Sequence, residues 1–269
     1  MSGVKYSPFY ENSCKTGTSL QNDVNIITES ANSVLIDYFD RCNIGETIKN
    51  FATKNVDIYL NINVYAFKKK SNIERFKYLA NINGFRDIKG ITVSNNNIIA
   101  QQLDLDYYAK IINDVVKIKN KEIIVGINKL VRVSNHEDSS NLETIAKMFK
   151  EYKNYFDYVL LNLYIPESSI DSAIFASKVF NEHFNSLKEL QKPIYLQIES
   201  KNKKLEDESF LKVLRELECR KSEYINYFMA DSFGPNSIFK KDSAYNKFKS
   251  MGKDSFDCRY HEYIGNWGK

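Results

Sequence analysis

Two short segments carry the residue types and positions that can do chemistry. ITVSNNN at 91–97 ends a strand-like run on Asn95, Asn96 and Asn97, and IYLQIES at 194–200 ends another on Glu199. A barrel enzyme that cleaves an acetal link uses two carboxyl groups facing each other across a cleft. One protonates the leaving oxygen and the other attacks the sugar or activates water. Here one strand end offers a carboxylate and the other only carboxamides. A carboxamide is close to a carboxyl in size and donates a hydrogen bond, but it has no acidic proton to deliver. General acid catalysis contributes roughly 10²–10⁴-fold, about 3–5 kcal/mol of barrier. Catalytic competence therefore turns on the carboxamide end, Asn95 to Asn97.

The elements that must position these groups are short β-branched and aromatic runs alternating with helical periodicity. The strand segments are Val4–Ser7, Val34–Phe39, Val56–Tyr65, Ile88–Ser94, Ile123–Ile127, Tyr158–Tyr164, Ile194–Glu199 and Tyr227–Ala230. Between them, Tyr108, Ile111, Ile112, Val115 and Val116 form one face of a helix over 105–118. Ile145, Met148, Phe149 and Tyr152 do the same over 142–155, with Ser139 or Ser140 as its cap. Eight such units predict an α/β fold closed as a single (β/α)8 TIM barrel. An open doubly wound sheet would need a glycine-rich phosphate turn after an early strand, and no such motif occurs. With only 4 Pro and 10 Gly in 269 residues and no linker-like stretch, residues 1–269 read as one domain.

Barrel chemistry sits at the C-terminal strand ends. That rule selects Pro8, Asp40, Asn95, Asn96, Asn162, Tyr164, Glu199 and Asp231. Each also has a plainer use, because polar residues after strands commonly cap the next helix.

Bulk properties narrow the partners. Lys and Arg total 38 against 34 Asp and Glu, a net +4 spread along the chain. Such a mildly basic, solvated surface argues against nucleic-acid binding. Mean hydropathy is −0.45, and no apolar run approaches the ~18–20 residues of a membrane span. The first residues lack the apolar core of a signal peptide, which leaves a cytoplasmic location open. Cys14, Cys42, Cys219 and Cys258 show no C-x-x-C spacing and no nearby His pair, so neither a metal nor another cofactor is expected. Their pairing is open on spacing alone.

The run Gly3-Val4-Lys5-Tyr6-Ser7-Pro8-Phe9-Tyr10, followed by Ser13-Cys14-Lys15, resembles the first strand and loop of glycoside hydrolase family 17. That family comprises the β-1,3-glucanases and glucanosyltransferases of fungi and plants. Val34–Tyr38 with Cys42-Asn43 is similar to the family's second strand, Asp157–Asn162 to its sixth, and Ile198-Glu199-Ser200 to the run carrying its nucleophile. The likeness extends to Ile264-Gly265-Asn266-Trp267. It implies a (β/α)8 barrel, a retaining mechanism, and a cell-wall polysaccharide or oligosaccharide as ligand. It also implies a monomer that is extracellular or in the cell wall. Glu199 takes the place of the nucleophile, and Ser94-Asn95-Asn96 stands where the family has Gly-Asn-Glu. Asn95 matches the sugar-binding Asn and Asn96 the acid/base. Tyr6 and Tyr38 are expected to line the cleft with Asn162, and Tyr164 to stack on a sugar ring; barrel packing is the alternative use of these tyrosines.

The chain departs from the family elsewhere. Ile36 replaces an Arg, which would remove a positive charge from the cleft floor. Lys201-Asn202-Lys203 replaces Gly-Trp-Pro after the nucleophile, and Arg41 replaces an Asp, with Asp40 adjacent. In the implied barrel, Cys14 and Cys42 follow neighbouring strands, where a disulfide can join them and would indicate an oxidising compartment. Cys219 and Cys258 can form a second pair; four reduced cysteines are the alternative. The expected function is a carbohydrate-binding pseudoenzyme with hydrolysis weak or lost. One rival is an active retaining enzyme with a displaced acid at Asp104, Asp106 or His261. Another is a structural wall or surface protein with no sugar site. The run Ala230–Gly234 also resembles part of a metal- or phosphate-dependent barrel lyase, without the metal ligands such an enzyme needs.

Overall fold

A computed structural model describes residues 3–38, 41–63, 70–83, 85–94, 105–118, 122–132, 150, 153–165, 190–200 and 226–229. Eight parallel strands close into a barrel in chain order: β1 (Gly3–Tyr6), β4 (Ser33–Asp37), β5 (Asp57–Asn63), β6 (Ile88–Ser94), β7 (Ile124–Arg132), β8 (Tyr158–Ile165), β9 (Ile194–Ser200) and β10 (Asn226–Met229). Closure is made by β1, which pairs with β4 on one side and β10 on the other. The (β/α)8 expectation holds, and each predicted strand segment coincides with one barrel strand.

Helices α1 (Gly17–Thr28), α2 (Ile44–Ala52), α3 (Lys70–Asn83) and α4 (Leu105–Ile118) follow the first four barrel strands. The predicted helix over 105–118 matches α4, whose Ile111 and Val115 are buried. Of the helix expected over 142–155, Lys150 is helical and Lys153-Asn154 form a turn; the rest lies outside the described residues. Helix α2 starts because the Asn43 side chain accepts the Glu46 backbone N–H at 3.3 Å, satisfying a donor the helix itself cannot. A short antiparallel hairpin, β2 (Phe9–Tyr10) with β3 (Ser13–Cys14), follows β1 and is absent from the sequence-based expectation.

Successive strand residues face opposite sides, so the barrel has two cores. The larger lies between strands and helices and includes Val34, Ile36, Leu60, Ile62, Val93, Leu161 and Ile198, packed with Leu20, Val24, Ile48, Phe51 and Phe76. The smaller fills the barrel interior with Leu35, Tyr59, Tyr158, Leu160, Tyr195 and Phe228. Its rings meet at centroid separations of 4.7 Å for Tyr158–Tyr195, 5.7 Å for Tyr59–Tyr195 and 5.3 Å for Tyr59–Phe228. Space for these rings comes from inward glycines. A Cβ on Gly90 would sit 2.7 Å from the Tyr59 ring, and one on Gly126 would collide with Tyr158. The Tyr158 hydroxyl is satisfied inside the barrel by Thr92 Oγ1 at 2.6 Å. This aromatic plug closes the barrel below its C-terminal mouth.

Among the described residues, no helix is long and apolar enough to cross a membrane. No three His, Cys, Asp or Glu side chains among them cluster as metal ligands.

Candidate functional site

Alternation carries the inward face of each strand from the plug up to the mouth. On β9 the inward series runs Tyr195, Gln197, Glu199, and on β8 it runs Tyr158, Leu160, Asn162. Tyr195, Tyr158 and Leu160 lie in the plug, Gln197 is fully buried, and Glu199 is part-exposed at the seventh strand's end. Asn162 donates its carboxamide N–H to Glu199 Oε2 at 3.3 Å. Glu199 is therefore a carboxylate in the barrel mouth, steadied by a neighbouring strand.

Opposite this pair the mouth holds a second one. Asp37, at the end of the second barrel strand, accepts from Asn61 Nδ2 at 2.6 Å and lies 3.5 Å from the Lys5 ammonium. Lys5 comes from the first strand and Asn61 from the third, and both Lys5 and Asp37 are largely shielded from solvent. The sequence reading chose Asp40 on this strand and passed over Lys5, Asp37, Asn61 and Gln197. Each is a polar residue in a mostly apolar strand, a signal of residue type that does not by itself say which face points inward.

Two expected cleft residues lie elsewhere. Tyr6 points outward to the helices, its hydroxyl donating to Asp23 Oδ2 on α1 at 3.0 Å and its ring edge-on to Phe51 of α2 at 5.5 Å. Burial, reinforced by the Asp23 charge and hydrogen bond, pushes the Tyr6 phenol up from its ordinary value. Tyr38 is likewise turned to the helix layer, perpendicular to Phe76 of α3 at 5.5 Å. These tyrosines are packing residues because their strand positions share the outward phase of Val4 and Val34. The same phase corrects the reading of Ile36: its side chain belongs to the helix-facing core. Loss of an Arg there removes no charge from the cleft floor, where Lys5 supplies one.

Tyr164 is the backbone partner of Glu199 on β8; its side chain is not among the described ones. Asn95 and Asn96 follow Ser94, the last described residue of β6, and lie outside the described residues, as do Asp40, Asp104, Asp231, His261 and Lys201–Lys203. Asp106 lies in the first turn of α4. Cys14 and Cys42 form the expected disulfide, with Cα atoms 5.4 Å apart, tying the hairpin after β1 to the loop before α2. Cys219 and Cys258 lie outside the described residues.

No protein-family model and no curated protein matches this sequence. Solved structures do match in fold. Xylanase 10B from Thermotoga petrophila RKU-1, in complex with xylobiose, superposes with a TM-score of 0.60 at 10% identity, covering 93% of this chain and 92% of that one. A fungal β-1,4-galactanase gives 0.58 at 9% identity, covering 90% and 95%. β-Glucuronidase 2 from Bacteroides uniformis gives 0.60 at 12% identity, covering 94% of this chain; the chain spans 35% of that protein's length. The shared fold is the (β/α)8 barrel that these glycoside hydrolases also have. At these identities the likeness is one of architecture, and the residues of the mouth are this chain's own.

Proposed function

We propose that this chain is a carbohydrate-binding barrel directed at β-1,3-glucan or a related cell-wall polysaccharide, with hydrolysis weak or lost. The observation that carries the reading is Glu199, held in the barrel mouth by Asn162 at the end of the seventh strand. This is where the family 17 resemblance puts the nucleophile. The same resemblance puts Asn96 in the proton donor's place, and a carboxamide cannot protonate a departing sugar oxygen. Fold neighbours named for xylan and galactan support a polysaccharide ligand. The Cys14–Cys42 disulfide supports an oxidising, extracellular or cell-wall setting. We take the working form to be the monomer.

Calorimetry with laminari-oligosaccharides reads binding, and release of reducing ends reads turnover. Binding without turnover is expected, with activity gained in Asn96→Glu. Turnover that disappears in Glu199→Gln would replace this reading with an active retaining enzyme using a displaced acid. Neither binding nor turnover would leave a structural wall or surface protein.

A further inference from the structure

Two carboxamides in the mouth have their orientation fixed. Asn61 presents its nitrogen to Asp37 and Asn162 presents its nitrogen to Glu199. Turning either amide around would set oxygen against carboxylate oxygen, so each carbonyl oxygen is committed to face away from its carboxylate. Those two oxygens, Oδ1 of Asn61 and Oδ1 of Asn162, are buried without a hydrogen-bond partner among the described residues, and so is Oε1 of Gln197. The residues are 3%, 8% and 1% exposed. An unmet buried acceptor costs about 1–3 kcal/mol, so three gathered in one part of the barrel call for donors from outside the described residues.

They also lie in two adjacent layers. Asn61 and Gln197 come from the third and seventh strands, which contribute to the same layer of a barrel interior. Asn162 comes from the sixth, which contributes to the next. The residues two positions earlier on the same strands are Tyr59, Leu160 and Tyr195, all members of the aromatic plug. With side chains alternating across a strand, the three carboxamides stand directly above that plug. Asn162 and Gln197 are backbone partners, as are Asn61 and Asp37. The charges at this level and above it are the carboxylates of Asp37 and Glu199 against the single ammonium of Lys5 among the described contacts.

We propose that the carboxamide oxygens of Asn61, Asn162 and Gln197 form the floor of a sugar subsite, accepting hydroxyl hydrogens from one neutral sugar ring seated above the plug. The proposal rests on the carbohydrate-binding reading and adds the residues that read the ring and the class of ring they accept. A hydroxyl-rich, uncharged ring supplies the donors the floor lacks. A uronic acid would bring a carboxylate to a mouth that already holds two. Lys5 and Asp37, from the neighbouring first and second strands, offer one donor and one acceptor to an adjacent hydroxyl.

The test uses laminaritriose with the wild-type chain, Asn61→Leu and Gln197→Met, measuring affinity by calorimetry and stability by thermal unfolding. Both substitutions keep the side-chain size and delete the unmet acceptor. Affinity should fall by about five-fold or more, one lost hydrogen bond's worth, while the unfolding midpoint of Gln197→Met holds or rises. Asn61→Leu also removes the donor to Asp37, and its midpoint falls by the loss of that bond. Unchanged affinity in both variants overturns the proposal and leaves a floor occupied only by water. A lower midpoint with unchanged affinity overturns it too, as a purely structural role. If a variant does not fold, wild-type binding of glucose, its monodeoxy derivatives and glucuronic acid, read by saturation-transfer NMR, decides. Loss of binding on removing one hydroxyl, and absence of glucuronic acid binding, are expected; equal binding by all overturns the proposal. Oligosaccharide binding that survives these failures leaves the proposed function standing, whereas no wild-type binding to any probe overturns both.

Discussion

Asn162 reaches Glu199 diagonally: its backbone partner on β9 is Gln197, yet its carboxamide nitrogen lies 3.3 Å from Oε2 of the carboxylate two residues further on. The contact leans along the strands toward the mouth, which is how neighbouring inward side chains meet when one is long. The sixth strand thereby sets the direction of the seventh strand's carboxylate. Replacing Asn162 with Leu should weaken laminari-oligosaccharide binding about 10-fold or more by calorimetry, the value of one hydrogen bond to a charged acceptor. The urea midpoint should move little, because losing the hydrogen bond to Glu199 and removing the unmet buried oxygen act in opposite directions. A variant that binds as well as wild type would show that the pair has no part in recognition.

The disulfide should matter more than its small hairpin implies. Cys14 and Cys42 are 28 residues apart in sequence, and closing a loop of that length in the unfolded chain is worth about 3–4 kcal/mol in the chain-entropy account. Urea denaturation with and without reductant should differ by an amount of this order. The Cys14→Ser, Cys42→Ala double variant, measured without reductant, should lose an amount of this order relative to the wild-type chain.

Inside the plug, the Tyr158–Thr92 hydrogen bond lies where neither hydroxyl can reach solvent. Tyr158→Phe should therefore cost about 1–3 kcal/mol by leaving Thr92 unmet. Adding Thr92→Val should cost less than the two single changes together, and a double-mutant cycle on urea midpoints measures that coupling. Gly126→Ala should be worse than either single change, since its methyl would occupy the space of the Tyr158 ring.

Alkaline pH should unfold this protein through its interior tyrosines. Burial is the main reason that Tyr6, Tyr59 and Tyr158 ionise above the ordinary tyrosine value of 10.0. Nearby Asp23 adds to the effect at Tyr6 and Tyr195 adds to it at Tyr59, whereas the Thr92 hydrogen bond partly offsets it at Tyr158. In the unfolded chain these phenols lose protons near pH 10 while the native protein keeps them, so the native state binds more protons above that point. Their contribution is fully present below about pH 10 and is lost above it, by up to about 1.4 kcal/mol per pH unit for each phenol. Urea midpoints between pH 9 and 11 should show the fall, with phenolate absorbance appearing alongside unfolding. Tyr59→Phe should make the fall shallower.

The barrel was legible because eight short apolar runs spaced by helical periodicity have few ways to close, and Glu199 was legible because a carboxylate ending an apolar run stands out. Asn95 and Asn96 were legible as residue types at the matching end of β6. The inward series of Lys5, Asp37, Asn61 and Gln197 was not. A barrel strand is covered on both sides, by the interior and by the helices, so both of its faces carry apolar residues and period two does not say which is which. Tyr6 and Tyr38 show the consequence: as tyrosines near strand ends they read as cleft residues, and closure turned them toward α1, α2 and α3.

By itself, then, the sequence determined the repeating strand–helix order, the carboxylate at the end of the seventh strand and the carboxamides at the end of the fourth. Those are properties of residue type and spacing along one strand. Tertiary structure alone decided that Asn162 meets Glu199, that Asn61 and Lys5 meet Asp37, and that three carboxamide oxygens gather in the two layers above an aromatic plug. Each of those relationships joins different strands. The phase and register of a closed sheet fix them, because closure chooses which alternate side chains point inward and at what height they meet.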